Sequence, residues 1–302
     1  ENKMKERTKS KVFKVLALSC VLAMAGAVFT GCGSQKQEKE AVKGSLTASG
    51  SSALQPLAQQ AADDFTAENP DASITINGGG SGTGLQQVSD GSVDIGNSDV
   101  YAEEKLDADQ AKALKDHKVA TITVAAVVNK DLGVKDLTTD QLTKIFTGQI
   151  TNWKDVGGPD EQIMLVTRPA SSGTRALFKQ YAIGGQEEAS NSALETDDSG
   201  TLMETVKKNK GAIGYVALSY LVNEKEVTGV AIDGVKPTLK NTYSGKYNVW
   251  GYEHMYTKGE PNKISKAFID YLTSDDYAQN VEKLGYGAIS KMSDKAVKNH
   301  EK

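Results

Sequence analysis

Cysteine is nearly absent from this chain: its 302 residues include two, Cys20 and Cys32. Cys20 falls in a segment expected to be removed, so the mature chain keeps one thiol. No intrachain disulfide can form, and the fold must rest on its apolar cores. Histidine is equally scarce, with His117, His254 and His300 as its three copies. None stands in an H-E-x-x-H zinc pattern or beside a G-x-S-x-G nucleophile elbow, so a hydrolase reading lacks its base. Nucleotide chemistry lacks its signature too. Gly80-x-Gly82 is followed by Leu85 where a dinucleotide loop needs a third glycine, and no Walker lysine comes after it. Finally, the apolar run from Val15 to Phe29 is too short to span a bilayer comfortably.

That run is preceded by Lys5, Arg7, Lys9, Lys11 and Lys14, which makes it an export signal. Phe29-Thr30-Gly31-Cys32 closes it with small residues before a cysteine, a lipoprotein-type processing box in which Cys32 takes the lipid; Phe29 departs from the aliphatic residue usual there. Residues 1–31 carry six Lys/Arg against two Glu, so the formal charge of −4 becomes −8 without them. An acidic body argues against nucleic acid as a partner. It leaves open an anion ligand, because a buried site is governed by local donors and dipoles. Residues 32–44 are rich in Gln, Lys and Glu without periodicity and are expected to form a flexible tether.

The remainder, at 38% hydrophobic and 25% charged overall, is long enough for two domains. Leu46-Thr47-Ala48 predicts a strand, Gly50 to Ala53 a turn, and Leu54 to Glu68 a helix with apolar residues at helical spacing. Ile74-Thr75-Ile76 predicts a second strand, followed by a glycine-rich loop and a helix from Leu85 to about Asp90. Val93 to Asp99 predicts a third strand with a carboxylate at its end. Val119 to Asn129 is a continuous β-branched run, expected as a buried strand crossing between domains with a hinge at its end. Thr139 is expected to cap a helix over 140–146, and Ile163 to Val166 to be a strand. Thr201 to Lys208 reads as helix and Ala212 to Val216 as strand. Tyr247 to Tyr256 reads as an extended return to the first unit, with helices over 263–273 and 275–284 closing the chain. This alternation describes an α/β protein of two lobes joined by crossing strands: lobe one over 45–127 and 247–302, lobe two over 128–246.

Such a fold puts its ligand in the cleft, at strand ends and helix starts. Arg168-Pro169-Ala170-Ser171-Ser172-Gly173-Thr174-Arg175 is the strongest candidate there. Ser172 and Thr174 supply hydroxyls, Gly173 permits close backbone approach, and the following helix points free N–H groups at the same place. Arg168 adds a fork matched to a tetrahedral oxyanion. Ser51-Ser52 and Ser81 to Thr83 repeat the strand–loop–helix context, with Asp99 beside them. Arg175 is expected to face the helix flank. Trp153 and Trp250 are expected in the core.

These segments, namely Gly50 to Leu57, Gly80 to Gly84, Asp94 to Asp99, Ile145 to Trp153, Arg168 to Thr174 and Gly211 to Val216, resemble the phosphate-binding lipoproteins that feed bacterial phosphate ABC transporters. The resemblance spans Ser45 to the C-terminal helices. It implies the type II periplasmic-binding-protein fold, with no enzymatic activity, cofactor or metal. It also implies inorganic phosphate as ligand, membrane permease subunits as partners, a lipid anchor on the extracytoplasmic face of the cell membrane, and a monomer. Carried over by position, the contacts would be Ser52 (hydroxyl), Ala53 (backbone N–H), Ser81 (hydroxyl and N–H) and Asp99 (carboxylate) from one lobe. Arg168, Ser172, Gly173 and Thr174 would come from the other. Ala53 stands where some relatives have Phe. Ala170 replaces an Asp that in some relatives holds the binding arginine. Sulfate or molybdate binding is the nearest rival, discriminated by Asp99. A phosphatase-type hydrolase and a surface adhesin or sensor on the same fold are the other readings.

Overall fold

Apolar and polar residues alternate with period two in the strands and recur every three to four residues in the helices. A computed structural model describes residues 41–300. The export signal, Cys32 and the tether up to residue 40 lie outside the described residues.

The chain begins with β1 (Gly44–Gly50), α1 (Gln55–Glu68), β2 (Ala72–Asn77), α2 (Ser81–Asp90), β3 (Ile95–Ser98), α3 (Ala108–Lys112) and the long β4 (Leu114–Asn129). A second series follows: β5 (Asp136–Leu137), α4 (Thr139–Phe146), β6 (Met164–Thr167), α5 (Gly173–Ala182), β7 (Leu194–Glu195), α6 (Ser199–Lys208) and β8 (Ala212–Ala217). It ends with β9 (Val227–Gly229), β10 (Ala231–Ile232) and α7 (Leu239–Tyr243). The return is made by β11 (Trp250–Lys258), α8 (Lys263–Leu272), α9 (Ala278–Lys283) and α10 (Asp294–Lys298).

The main sheet runs β2-β1-β3-β11-β4-β8-β6-β7, with β9 also on β4. β4 is therefore common to both halves. Leu114 to Thr123 pair antiparallel with β11, and Val124 to Val128 pair with β8, so the partner changes in mid-strand. The first half packs α1 on β2 and α8 on β1, with Phe65 edge-on to Phe268 at 5.8 Å and Leu57, Ala61 and Ile269 in the same core. The second half has its core around Phe146, Phe178 and Tyr215, whose rings lie 4.1–5.7 Å apart. Trp153 is fully buried there, and its indole N–H donates to the Gly211 carbonyl at 2.9 Å. Each such aromatic removes enough apolar surface from water to be worth about 2–3 kcal/mol. Trp250 is fully buried as well.

The α/β alternation and the crossing strand expected from sequence are present. Several helix starts differ. α4 begins one residue before the expected position because Thr138, not Thr139, is the cap: its hydroxyl accepts from Gln141 N–H and Gln141 reaches back, a capping box. α2 starts at Ser81 and α6 at Ser199, inside polar Ser-Gly-Thr stretches that carry no apolar period to read. α9 covers 278–283 rather than 275–284.

Candidate functional site

Each suspected side chain sits where a strand hands over to a helix. Ser51 follows β1, and its hydroxyl oxygen accepts the N–H groups of Ala53 at 3.0 Å and Leu54 at 3.1 Å. Its own proton therefore has to go elsewhere, and it goes to Asp99 Oδ1. The Ser52 hydroxyl reaches into the other half of the molecule, donating to the Asp197 carbonyl at 2.5 Å and lying 3.0 Å from Ser199 Oγ. Ser81 opens α2, and its hydroxyl oxygen accepts the Asp99 N–H at 3.0 Å. Asp99, 1% exposed, accepts the Thr174 hydroxyl on Oδ2 at 2.7 Å. It thus ties β3 to the start of α5.

Arg168 leaves β6 and is completely buried. Its guanidinium donates to the Tyr215 carbonyl from Nε at 3.4 Å and from Nη2 at 3.1 Å, to Ser199 Oγ at 2.9 Å, and to the Asp197 carbonyl at 3.2 Å. The Asp197 carboxylate lies 3.7 Å from Nη1. Asp197 thus supplies, from a different loop, the acid that Ala170 cannot. Burial pushes the Asp197 carboxyl up and the nearby Asp99 charge adds to this, while the Ser172 hydroxyl and Arg168 pull it back. Ser172 caps α5, accepting the Arg175 N–H at 3.3 Å, so its proton is free to be donated to Asp197. Gly173 and Thr174 form the first turn of α5, where uncompensated N–H groups favour negative charge.

Two glycines are required by close approach. A Cβ at Gly173 would lie 2.3 Å from Ser81 Oγ and 2.9 Å from Asp99 Cβ, across the cleft. Gly80 has φ +93°, and its Cβ would fall 1.8 Å from Asp197 Oδ2. Lys105 adds a cation spanning the two halves, donating to the carbonyls of Ala170 at 2.7 Å and Ser172 at 3.3 Å. Burial lowers its pKa.

The structure therefore brings Ser52, Ala53, Ser81, Asp99, Arg168, Ser172, Gly173 and Thr174 to one buried seam. The Ala53 N–H is turned to Ser51. Arg175 points away, bonding the Arg168 carbonyl and pairing with Glu188 at 3.5 Å and Glu187 at 3.7 Å. Sequence reasoning missed Asp197, Ser199 and Lys105. Asp197-Asp198-Ser199-Gly200-Thr201 was a readable signal for the first two, being another hydroxyl-rich helix start. A cavity of about 320 Å³ opens on another side of Asp99, walled by Tyr101, Tyr181, Trp250, Tyr252 and His300. Its lining also holds the Lys118 ammonium and the His254 ring, whereas the seam gathers the hydroxyls and the Arg168 guanidinium. Among the described residues there is no cluster of His, Cys, Asp and Glu suited to a metal, and no helix long and apolar enough to cross a membrane.

Residues 35–276 match the family model of the PBP superfamily domain. The chain is 50% identical over 279 residues to the phosphate-binding protein PstS of Bacillus subtilis, covering 90% of this chain and 92% of that one. It is 30% identical over 298 residues to PstS of Staphylococcus epidermidis, covering 93% and 89%. Among solved structures it is similar to a phosphate ABC transporter substrate-binding protein of Clostridium perfringens, crystallised with bound phosphate. The TM-score there is 0.73 at 33% identity, over 80% of this chain and 98% of the other. An ABC-type phosphate transport receptor from Vibrio cholerae gives 0.63 at 29%, over 80% and 99%. With one buried seam of hydroxyls and a guanidinium, and with these relatives along nearly its whole length, the chain belongs to the PBP superfamily and, within it, to the phosphate-binding PstS proteins.

Proposed function

We propose that this protein captures inorganic phosphate outside the cytoplasm and delivers it to an ABC importer. The observation that carries the reading is the fully buried Arg168 guanidinium, which donates to Ser199 Oγ, an atom that also lies 3.0 Å from the Ser52 hydroxyl of the other half. Ser52, Ala53, Ser81 and Asp99 bind from lobe one (45–127 and 247–302), and Arg168, Ser172, Gly173 and Thr174 from lobe two (128–246). The lobes close on the ligand as its oxygens exchange for the internal bonds of Ser52 and Ser199. A ligand drives closure by the amount that it binds the closed form better than the open one. Asp99 selects phosphate over sulfate, since an ionised carboxylate accepts a hydrogen bond from protonated phosphate and meets only lone pairs on sulfate.

Cys32 carries the acyl anchor of a monomer on the extracytoplasmic face of the membrane, and permease subunits receive the ligand. Calorimetric titration of the ligand-stripped protein with phosphate, sulfate and molybdate tests the reading. Phosphate should bind at least about a hundredfold more tightly than either rival, a difference of roughly 2.7 kcal/mol. Sulfate binding as tight as phosphate would sink it.

A further inference from the structure

We propose that Glu253 is a protonated positioning residue behind Asp99, donating its proton to the Asp99 carboxylate and so deciding which lone pair Asp99 presents to the ligand. Three observations carry this. Glu253 is 0% exposed, and neither of its oxygens is reached by a hydrogen-bond donor. It lies on the face of β11 that meets Asp99: two residues earlier on that face a Cβ at Gly251 would lie 3.3 Å from the Asp99 carbonyl oxygen. The ladder between β11 and β4 also slips at this point, Glu253 facing Ala120 while His254 faces Lys118, so Val119 is an extra residue. The extra residue belongs to β4, and such bulges are over-represented beside functional sites.

The proton's place follows from the bonds around it. Ser51 Oγ already accepts two backbone N–H groups, so its proton points at Asp99, and the Thr174 hydroxyl donates to the other Asp99 oxygen. Asp99 thereby accepts a hydroxyl on each of its oxygens. A second buried carboxylate against it, without a cation of its own, cannot also ionise. Lys105 is engaged with the carbonyls of Ala170 and Ser172, and Arg168 with Asp197, Ser199 and Tyr215. The other titratable groups packed near Glu253 are Tyr286, whose hydroxyl donates to the Ala53 carbonyl, and His254 on its own strand, whose Nδ1 is 2.7 Å from Asp116. Burial, and then the Asp99 charge, raise the Glu253 carboxyl well above the usual range, in the same direction.

A carboxylate has about four lone-pair positions. With Ser51, Thr174 and Glu253 each filling one, Asp99 keeps one acceptor for the ligand, enough for a single P–O–H donor. This rests on the function proposed above. The pair holds one proton and one negative charge, and binding moves neither.

Infrared spectroscopy of the full chain provides the first test. At about pH 8, where ordinary carboxylates are ionised, the wild type should show a protonated-carboxyl C=O band that Glu253→Gln lacks. The second test is calorimetry with phosphate across pH. Glu253→Gln keeps a neutral donor and should stay within about threefold of wild type with an unmoved pH profile. Glu253→Leu removes the donor and should bind about tenfold more weakly, with a displaced profile. A band that persists unchanged in Glu253→Gln overturns the proposal, and so does equal binding by the Gln and Leu variants. The infrared result needs no ligand, so it stands or falls separately from phosphate binding, and it remains decisive if the Leu variant does not fold.

Discussion

Replacing Arg168 by alanine should weaken phosphate binding by roughly two to three orders of magnitude. The guanidinium is, among the described residues, the one cation buried at the seam with no exposed surface, and it stands 3.7 Å from the Asp197 carboxylate. At an effective dielectric constant near 20, that pair has a gross attraction of about 4–5 kcal/mol before desolvation. Removing the cation leaves Asp197 and Asp99 repelling an incoming anion, and removes the fork itself. Truncating one partner of a buried charged pair costs about 2–5 kcal/mol, and a loss near 3–4 is about 150- to 800-fold in Kd. The same change takes two donors from the Tyr215 carbonyl, so stability should also fall by about 1–3 kcal/mol. Thermal unfolding must therefore accompany the calorimetric titration, so that lost binding is not mistaken for lost fold. Arg175→Ala is the matched control, since Arg175 pairs with Glu187 and Glu188 on the flank and should change affinity less than about threefold. Equal losses from the two substitutions, or a tenfold effect or less from Arg168→Ala in a folded protein, would refute the assignment.

Asp99→Asn should narrow the gap between phosphate and sulfate by about tenfold in competition binding, because the amide can donate where the carboxylate only accepts. Gly173→Ala should weaken phosphate binding and keep the molecule expanded in small-angle scattering, because the new Cβ would collide with Ser81 and Asp99 across the cleft. His300 makes stability fall on the acid side. Burial lowers its pKa from 6.5 to about 4, so the stability of its neutral form is present above 6.5 and lost as pH falls toward 4. His300→Phe keeps the stacks with Tyr181 and Trp250 and should flatten the drop in melting temperature over that window.

The site was legible where chemistry and local structure coincide. Ser52, Ser81 and Ser172 each sit at a helix start after a strand, and the glycines beside them mark close backbone approach, so the sequence pattern and the function share residues. Asp197 was hidden for the opposite reason. It lies between a two-residue strand and a helix whose first turn is polar, and its value comes from meeting an arginine 29 positions away. Glu253 was hidden more deeply, because a single acid in the β-rich stretch Trp250 to Lys258 reads as a solvent-facing position. It shares the inward face with Gly251, and only the packing of that face against Asp99, invisible in the residue pattern, buries it. The fold was easier, since Val119 to Asn129 is apolar on both faces and must be central. That β4 exchanges β11 for β8 in mid-strand depends on partners that periodicity does not specify.

The position of β11 also orders events in time. It is the strand that joins β3 to β4, yet it is encoded after β5 to β10 and α4 to α7. As the chain is made, β1, β2 and β3 can pair among themselves but cannot attach to β4 until Trp250 to Lys258 has arrived. A chain that stops short of residue 250 therefore leaves two open sheet edges facing each other, each with unpaired N–H and C=O groups. A single late segment makes the two halves one inheritance: neither can be exchanged, truncated or produced alone without stranding the other.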